Sequence, residues 1–146
     1  VTLPLLTTPN IEREIRPWAA AQPRLSYFGG RFYWAFAPEV TYPACRVYKS
    51  GGGRVRNGGD TPEWEINLAW DTWSDQEGEY QNLRDATDEL EALIEYLTTG
   101  SGPQTIGTVV VLDSWVNASL PSPDPASGWP RFIVDSTFRC VPASAG

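Results

Sequence analysis

Glu63-Trp64-Glu65-Ile66-Asn67-Leu68-Ala69-Trp70-Asp71, leading into Ser74-Asp75-Gln76-Glu77, decides the fold class. Trp64, Ile66, Leu68 and Trp70 alternate with Glu63, Glu65, Asn67 and Asp71, the period-two pattern of a strand with one buried and one wet face. Ser74 followed three residues later by Glu77 has the form of a capping box, in which each side chain satisfies a backbone donor left over at a helix start. The helix expected from it carries the stripe Tyr80, Leu83, Thr87, Leu90, Ile94 and Leu97 and ends near Gly100. About 22 residues at ~1.5 Å each give roughly 33 Å, enough to span a sheet.

Outward from this centre the pattern repeats. Ile106 to Val116 is rich in β-branched residues, and Arg131 to Val141 alternates Phe132, Val134, Phe138 and Cys140 against Ile133, Asp135, Thr137 and Arg139. Between them, residues 120–128 form a proline-rich loop. Upstream, Ala44 to Lys49 reads as a strand, and Gly51 to Gly59 as a flexible hairpin tip that carries Arg54 and Arg56. That tip is no phosphate loop, because lysine and hydroxyl precede the glycines instead of closing the motif. Phe28 to Trp34 is a turn feeding a short aromatic segment. Thr8 as cap and Pro9 at the first helical position open an earlier helix with the stripe Ile11, Ile15 and Trp18, and Pro17 predicts a kink or an end there. The sum is one α+β domain over residues 1–146, with an antiparallel or mixed sheet of about four main strands and two helices packed on one face.

Composition narrows the function. The chain has 146 residues, 41% of them apolar, with seven Trp, six Tyr and five Phe, enough for one core. No apolar run approaches the ~18–20 residues that cross a bilayer. Val1-Thr2-Leu3-Pro4-Leu5-Leu6 has neither a basic leader nor a long apolar stretch, so a mature cytosolic product is expected. That compartment favours two buried free thiols at Cys45 and Cys140 over a disulfide between them. With no His and two Cys, soft-metal sites are nearly excluded, and any metal would be a hard cation on oxygen ligands.

Net charge is −7, unevenly spread: Asn57 to Pro130 holds fourteen acids and one base, Arg84, and the rest ten bases and four acids. One reading is a solvated acidic helix face. The other is a bipolar subunit whose acidic side meets the basic side of a neighbouring copy, a head-to-tail contact that closes into rings. An acidic chain with scattered arginines is a poor dedicated nucleic-acid binder.

Catalytic constellations fail early. Asp71, Asp75, Glu77 and Glu79 offer carboxylate pairs for a hydrolase, but Ser74, Asp75 and Glu77 already have a helix-start role and the strand glutamates are its wet face. Without His, Ser-His-Asp and Cys-His arrangements are impossible, so no enzyme is expected and no cofactor. Trp34, Trp73, Trp115 and Trp129 exceed what core periodicity places, which suits either a carbohydrate- or ligand-binding module or a protein interface. A single long helix and few strands depart from the all-β lectin sandwich. Asn117-Ala118-Ser119 fits the glycosylation pattern, which has no meaning without secretion.

Four stretches carry a resemblance across almost the whole chain. They are the opening Leu3-Pro4-Leu5-Leu6-Thr7-Thr8-Pro9-Asn10-Ile11-Glu12, the strand entry Thr41-Tyr42-Pro43-Ala44, the strand Glu63 to Trp70 running into its helix, and a closing hairpin with Pro123-Asp124-Pro125 and Trp129-Pro130-Arg131-Phe132. In these the chain resembles the tail terminator and tail-completion proteins of siphophages, especially actinobacterial ones. Pro17 and the glycine-rich insertion at 51–59 depart from the plain pattern. The resemblance implies a virion subunit of a six-fold ring at the head-proximal end of the tail tube. Such a ring binds the last tube-protein ring, stops polymerisation, and presents its other face to head-completion proteins. Genomic DNA passes through its lumen without sequence-specific binding, and no membrane is involved. A head–tail connector or stopper of the same virion is the nearest alternative. Arg54, Arg56, Trp115, Asp124, Trp129 and Arg131 are the candidate subunit or partner contacts.

Overall fold

The computed structural model describes residues 8–35, 40–55 and 62–143. Its helices are α1 (Ile11–Ala20) and α2 (Tyr80–Glu95), and its strands β1 (Phe32–Tyr33), β2 (Ala44–Val55), β3 (Glu63–Trp73), β4 (Gln104–Ile106), β5 (Val109–Pro121) and β6 (Arg131–Pro142). One sheet takes them in the order β1-β2-β3-β6-β5-β4, antiparallel except where β1 pairs parallel with β2. The mixed α+β class is as expected. The four long strands are the anticipated ones, and the short β1 and β4 add two more.

Alternation in β3 holds: Trp64, Ile66, Leu68 and Trp70 all enter the core. Ile11, Ile15 and Ala19 of α1 and Leu83, Ala86, Leu90 and Ile94 of α2 close over them from one side, at helical spacing. Trp18 packs at the margin of this core. Each fully buried Leu or Ile contributes about 1.5–3 kcal/mol. Three buried polar side chains inside are paired. Trp70 Nε1–H donates to Ser136 Oγ at 2.9 Å, Ser136 Oγ–H to Leu68 O at 3.0 Å, and Ser114 Oγ–H to Ile94 O at 2.6 Å, pinning the end of α2 to β5. Cys45 and Cys140 are both buried and free, and burial pushes the Cys140 thiol up to about 12 and Cys45 well above its usual value.

Several boundaries differ from the sequence reading. Asn10, not Thr8, caps α1, its side-chain oxygen accepting from Arg13 N–H at 3.2 Å. The helix neither ends nor stops short at Pro17, which lies inside it, and Ala21 N–H closes the helix on Pro17 O at 3.1 Å. Ser74 is not the cap of α2. Its own N–H donates to Pro130 O at 3.2 Å, tying it to the β6 side, and its Oγ accepts from Gln76 N–H at 3.4 Å. A short 3-10 turn, Glu77–Glu79, follows, so α2 has 16 residues. At ~1.5 Å per residue that is about 24 Å, less than the expected span.

Ile106 to Val116 is not one strand. Gly107 has φ +59°, the left-handed region, and a Cβ there would collide with the Glu14 carboxylate of α1. The turn therefore docks on α1, with Thr108 Oγ–H donating to Glu14 at 3.1 Å. Since α1 packs against β1 and β2 as well as β4, which stand at opposite ends of the strand order, the sheet curls around it. The glycines after Lys49 continue β2: Gly51, Gly52 and Gly53 pair with Asn67, Ile66 and Glu65. Gly52 is at φ +110°, and a Cβ on it would meet the Glu65 carbonyl and Ile66 Cα, so close strand approach requires glycine there. The rest of the expected tip, residues 56–59 with Arg56, lies outside the described residues.

Candidate functional site

Both helices lie on one side, which leaves the other face of the sheet uncovered among the described residues. At one end of that face sits a charge cluster absent from the sequence reading. Asp71 is completely buried, although its strand position reads as wet. The registers Arg46↔Asp71 and Trp73↔Arg131 bring an arginine from β2 and one from β6 to it. One carboxylate oxygen, Oδ2, accepts from Arg46 at 2.6 Å and from Arg131 at 3.0 Å. Each guanidinium also lies over an aromatic ring, Arg46 at 4.4 Å from the Tyr48 centroid and Arg131 at 4.5 Å from that of Trp73. Burial of Oδ2 is thereby compensated, whereas Oδ1 is buried without a hydrogen-bond partner among the described residues, and the cluster keeps one net positive charge.

Further along the face, Trp115 Nε1–H donates to Asn117 Oδ1 (3.0 Å), Asn117 to Thr137 (2.8 Å) and Thr137 to Asn67 (2.9 Å). Arg139 pairs with Glu63 at 2.8 Å. Part of the two charge blocks is thus joined within the molecule: Arg24, Arg46, Arg131 and Arg139 pair with three acids of the 57–130 segment, Glu89, Asp71 and Glu63. Neither Lys49 nor Arg54 is in an ion pair among the described residues.

The candidate contacts do not form one site. Arg131 joins the Asp71 cluster. Trp129 lies near it, its ring T-shaped against Tyr42 at 5.6 Å. Asp124 organises the turn before Trp129, accepting from Ser127 N–H at 2.9 Å and Ser127 Oγ–H at 2.6 Å, which holds its carboxyl below the usual range. Trp115 is half-buried in the middle of the face, and Arg54 is exposed near the far end of β2. Of the aromatic surplus, Trp34 is 71% exposed, and Trp73, Trp115 and Trp129 are half-buried.

The flanks of the sheet are the second feature. β1 pairs with β2 only at Cys45 and Arg46, so β2 has no strand partner on its outer side from Val47 to Val55 among the described residues. β4 pairs with β5 only at Val109 to Val111, leaving Leu112 to Pro121 open on the opposite flank. An open edge is a template for strand pairing. Two carboxylates sit on the β5 edge: Glu95 accepts from Val116 N–H at 2.6 Å and Asp113 from Ser114 N–H at 2.8 Å. The first of these comes from the last residue of α2, which sequence periodicity gives no means to foresee.

Beside that edge a hollow of about 390 Å³ is lined by Tyr80, Arg84, Asp88, Glu91, Ser119 and Phe132, among others. Glu91 is pushed up from its usual value by burial first, then by the Asp88 charge, with Glu95 adding to it. A raised folded-state value means that charged Glu91 opposes folding above it, and the penalty vanishes below 4.5, the ordinary value. Glu91→Gln should therefore raise the melting temperature at pH 7, and the gain should shrink at pH 4. Equal melting temperatures at pH 7 would refute the repulsion. Among the described residues no three Asp, Glu or Cys side chains are grouped to hold a metal ion, and no helix is long and apolar enough to cross a membrane.

This architecture has a solved counterpart. It is similar to a chain in the virion of a native gene transfer agent particle, with a TM-score of 0.62 over 90% of this chain and 91% of that one. Identity is 10%, so what the two share is the fold. No protein-family model and no curated protein matches the sequence.

Proposed function

We propose that this chain is a structural virion protein, the tail terminator of a long-tailed particle, with no catalytic role. It caps the tail tube as a hexameric ring, stops tube polymerisation, and offers a surface to the head-completion protein, while DNA traverses the lumen. The observation that carries the virion part is the fold likeness, over nine-tenths of both chains, to a protein of a virion particle. The terminator part rests on the four stretches resembling siphophage terminators. The sheet face and the two flanks left open among the described residues supply the surface that a ring subunit needs. A head–tail connector is the second reading, since the same likeness supports it equally.

Quantitative mass spectrometry of purified virions, with gold-labelled antibody in electron microscopy, tests the proposal. A few copies per particle and label at the head-proximal end of the tail are expected. Particles without the chain, or label elsewhere, would refute it.

A further inference from the structure

The two open flanks differ in charge. Lys49 and Arg54 are exposed on β2. Asp113 stands on β5, with Glu95 bonded to the same edge and Glu91 sharing a hollow with Ser119 of β5. The edges are also matched in direction. Because β2–β3, β3–β6 and β6–β5 are each antiparallel, β2 and β5 run opposite ways. A second copy related by rotation about an axis along the strands would set its β2 antiparallel to β5 of the first, which continues the alternation. Both edges are about equally long, and the two lie on opposite flanks of one sheet, so such a contact is heterologous and can repeat.

What stands in the way is the pair of carboxylates. In a strand, N–H groups on the open side are the donors a neighbour would use, and here Val116 and Ser114 already donate to Glu95 and Asp113. Natural edge strands are commonly blunted in this manner, by charge and by bulges. β5 has irregularities between Val111 and Asp113 and between Val116 and Ala118, which flank the two occupied donors.

We propose that the β5 edge is the docking strand for the β2 edge of a second copy, with the Glu95 carboxylate as a latch that must leave Val116 N–H before the copies pair. The other acids of that flank, Asp113 and Glu91, favour the Lys49 and Arg54 flank of the incoming copy over a second acidic one. The latch keeps free subunits apart until a template aligns them. The proposal deepens the ring-forming reading above and rests on it for the biological setting, but the pairing is measurable without any tail.

The experiment is sedimentation of the purified full chain over a concentration series, with amide hydrogen exchange on the same samples. Glu95→Ala should lower the concentration for self-association by about tenfold, the factor for losing one charge-assisted hydrogen bond that competes with pairing. Glu95→Gln keeps an acceptor without the charge and should fall between. In the associated form the amides of β2 beyond Val47 and of β5 beyond Ser114 should slow together. Adding Lys49→Glu and Arg54→Glu to Glu95→Ala should cancel the gain. Association of folded Glu95→Ala and Glu95→Gln no stronger than wild type would overturn the latch. A gain that survives the Lys49 and Arg54 reversals, or association without protection of β2, would overturn β2 as the partner edge. If instead the chain is missing from virions, the functional reading falls while these results stand.

Discussion

Asp71→Ala is expected to destabilise the protein by about 3–5 kcal/mol, the range for removing one partner of a buried ion pair. Asp71 is fully buried, and its Oδ2 is the only carboxylate oxygen that pairs with Arg46 and Arg131 among the described residues. Without it two guanidinium groups lie on either side of β3 with no carboxylate between them, each over its ring, Tyr48 or Trp73. Neither can swing fully into water without giving up its ring contact. Against a typical total stability of about 5–15 kcal/mol, a loss of this size leaves a marginal fold. Denaturant unfolding at neutral pH measures it. The triple variant Asp71→Ala, Arg46→Met, Arg131→Leu should recover much of the loss, because it removes the charges together with their partner. A loss under about 1 kcal/mol in the single variant would mean that the arginines are solvated well enough to need no carboxylate.

This cluster also marks how far the sequence could be read. The strand at Glu63 to Trp73 was legible because its burial follows a local rule, alternation, from Glu63 to Leu68, although both faces are buried from Ala69 to Thr72. Asp71 follows the same rule to the outer face but is not wet, since its partners arrive from β2, 25 positions before it, and β6, 60 positions after it. Local periodicity carries no information on such pairs. The capping box misled for a related reason: Ser74 has the side chain of a cap, but its backbone is committed to Pro130. Composition misled at Gly51 to Gly53, which continue the strand; at Gly52 the glycine is there because β3 passes too close for a Cβ. The charge blocks were counted correctly, and four arginines pair with three acids of the 57–130 segment, Glu63, Asp71 and Glu89, within one molecule. On the two flanks the charges outside these ion pairs include Lys49 and Arg54 on one side and Glu95 and Asp113 on the other. Of the six candidate contacts, Arg54 alone among those described belongs to these flank charges, and Arg131 belongs to the Asp71 cluster.

A nonsense mutation in this gene should leave tail-tube polymerisation running and remove its limit. Each tube ring offers the next an equivalent surface, so head-to-tail stacking is open-ended until something different caps it. A ring can cap if one side imitates the tube contact and the other does not repeat it. A subunit of this fold has what that requires: one face of its sheet is covered by two helices and the other by none among the described residues, so that successive rings need not meet the same surface twice. The mutant lysate should contain DNA-filled heads without tails, and free tails of variable and excessive length, with infectious titre lost. The connector reading predicts something else, because a head-side protein acts after tails are complete: separate heads, and free tails of one normal length. Electron microscopy of the lysate separates the two by the spread of tail lengths, without any assumption about which residues make the contact. Uniform tails would sink the terminator assignment and leave the connector standing, whereas intact infectious particles would sink assembly as the function altogether.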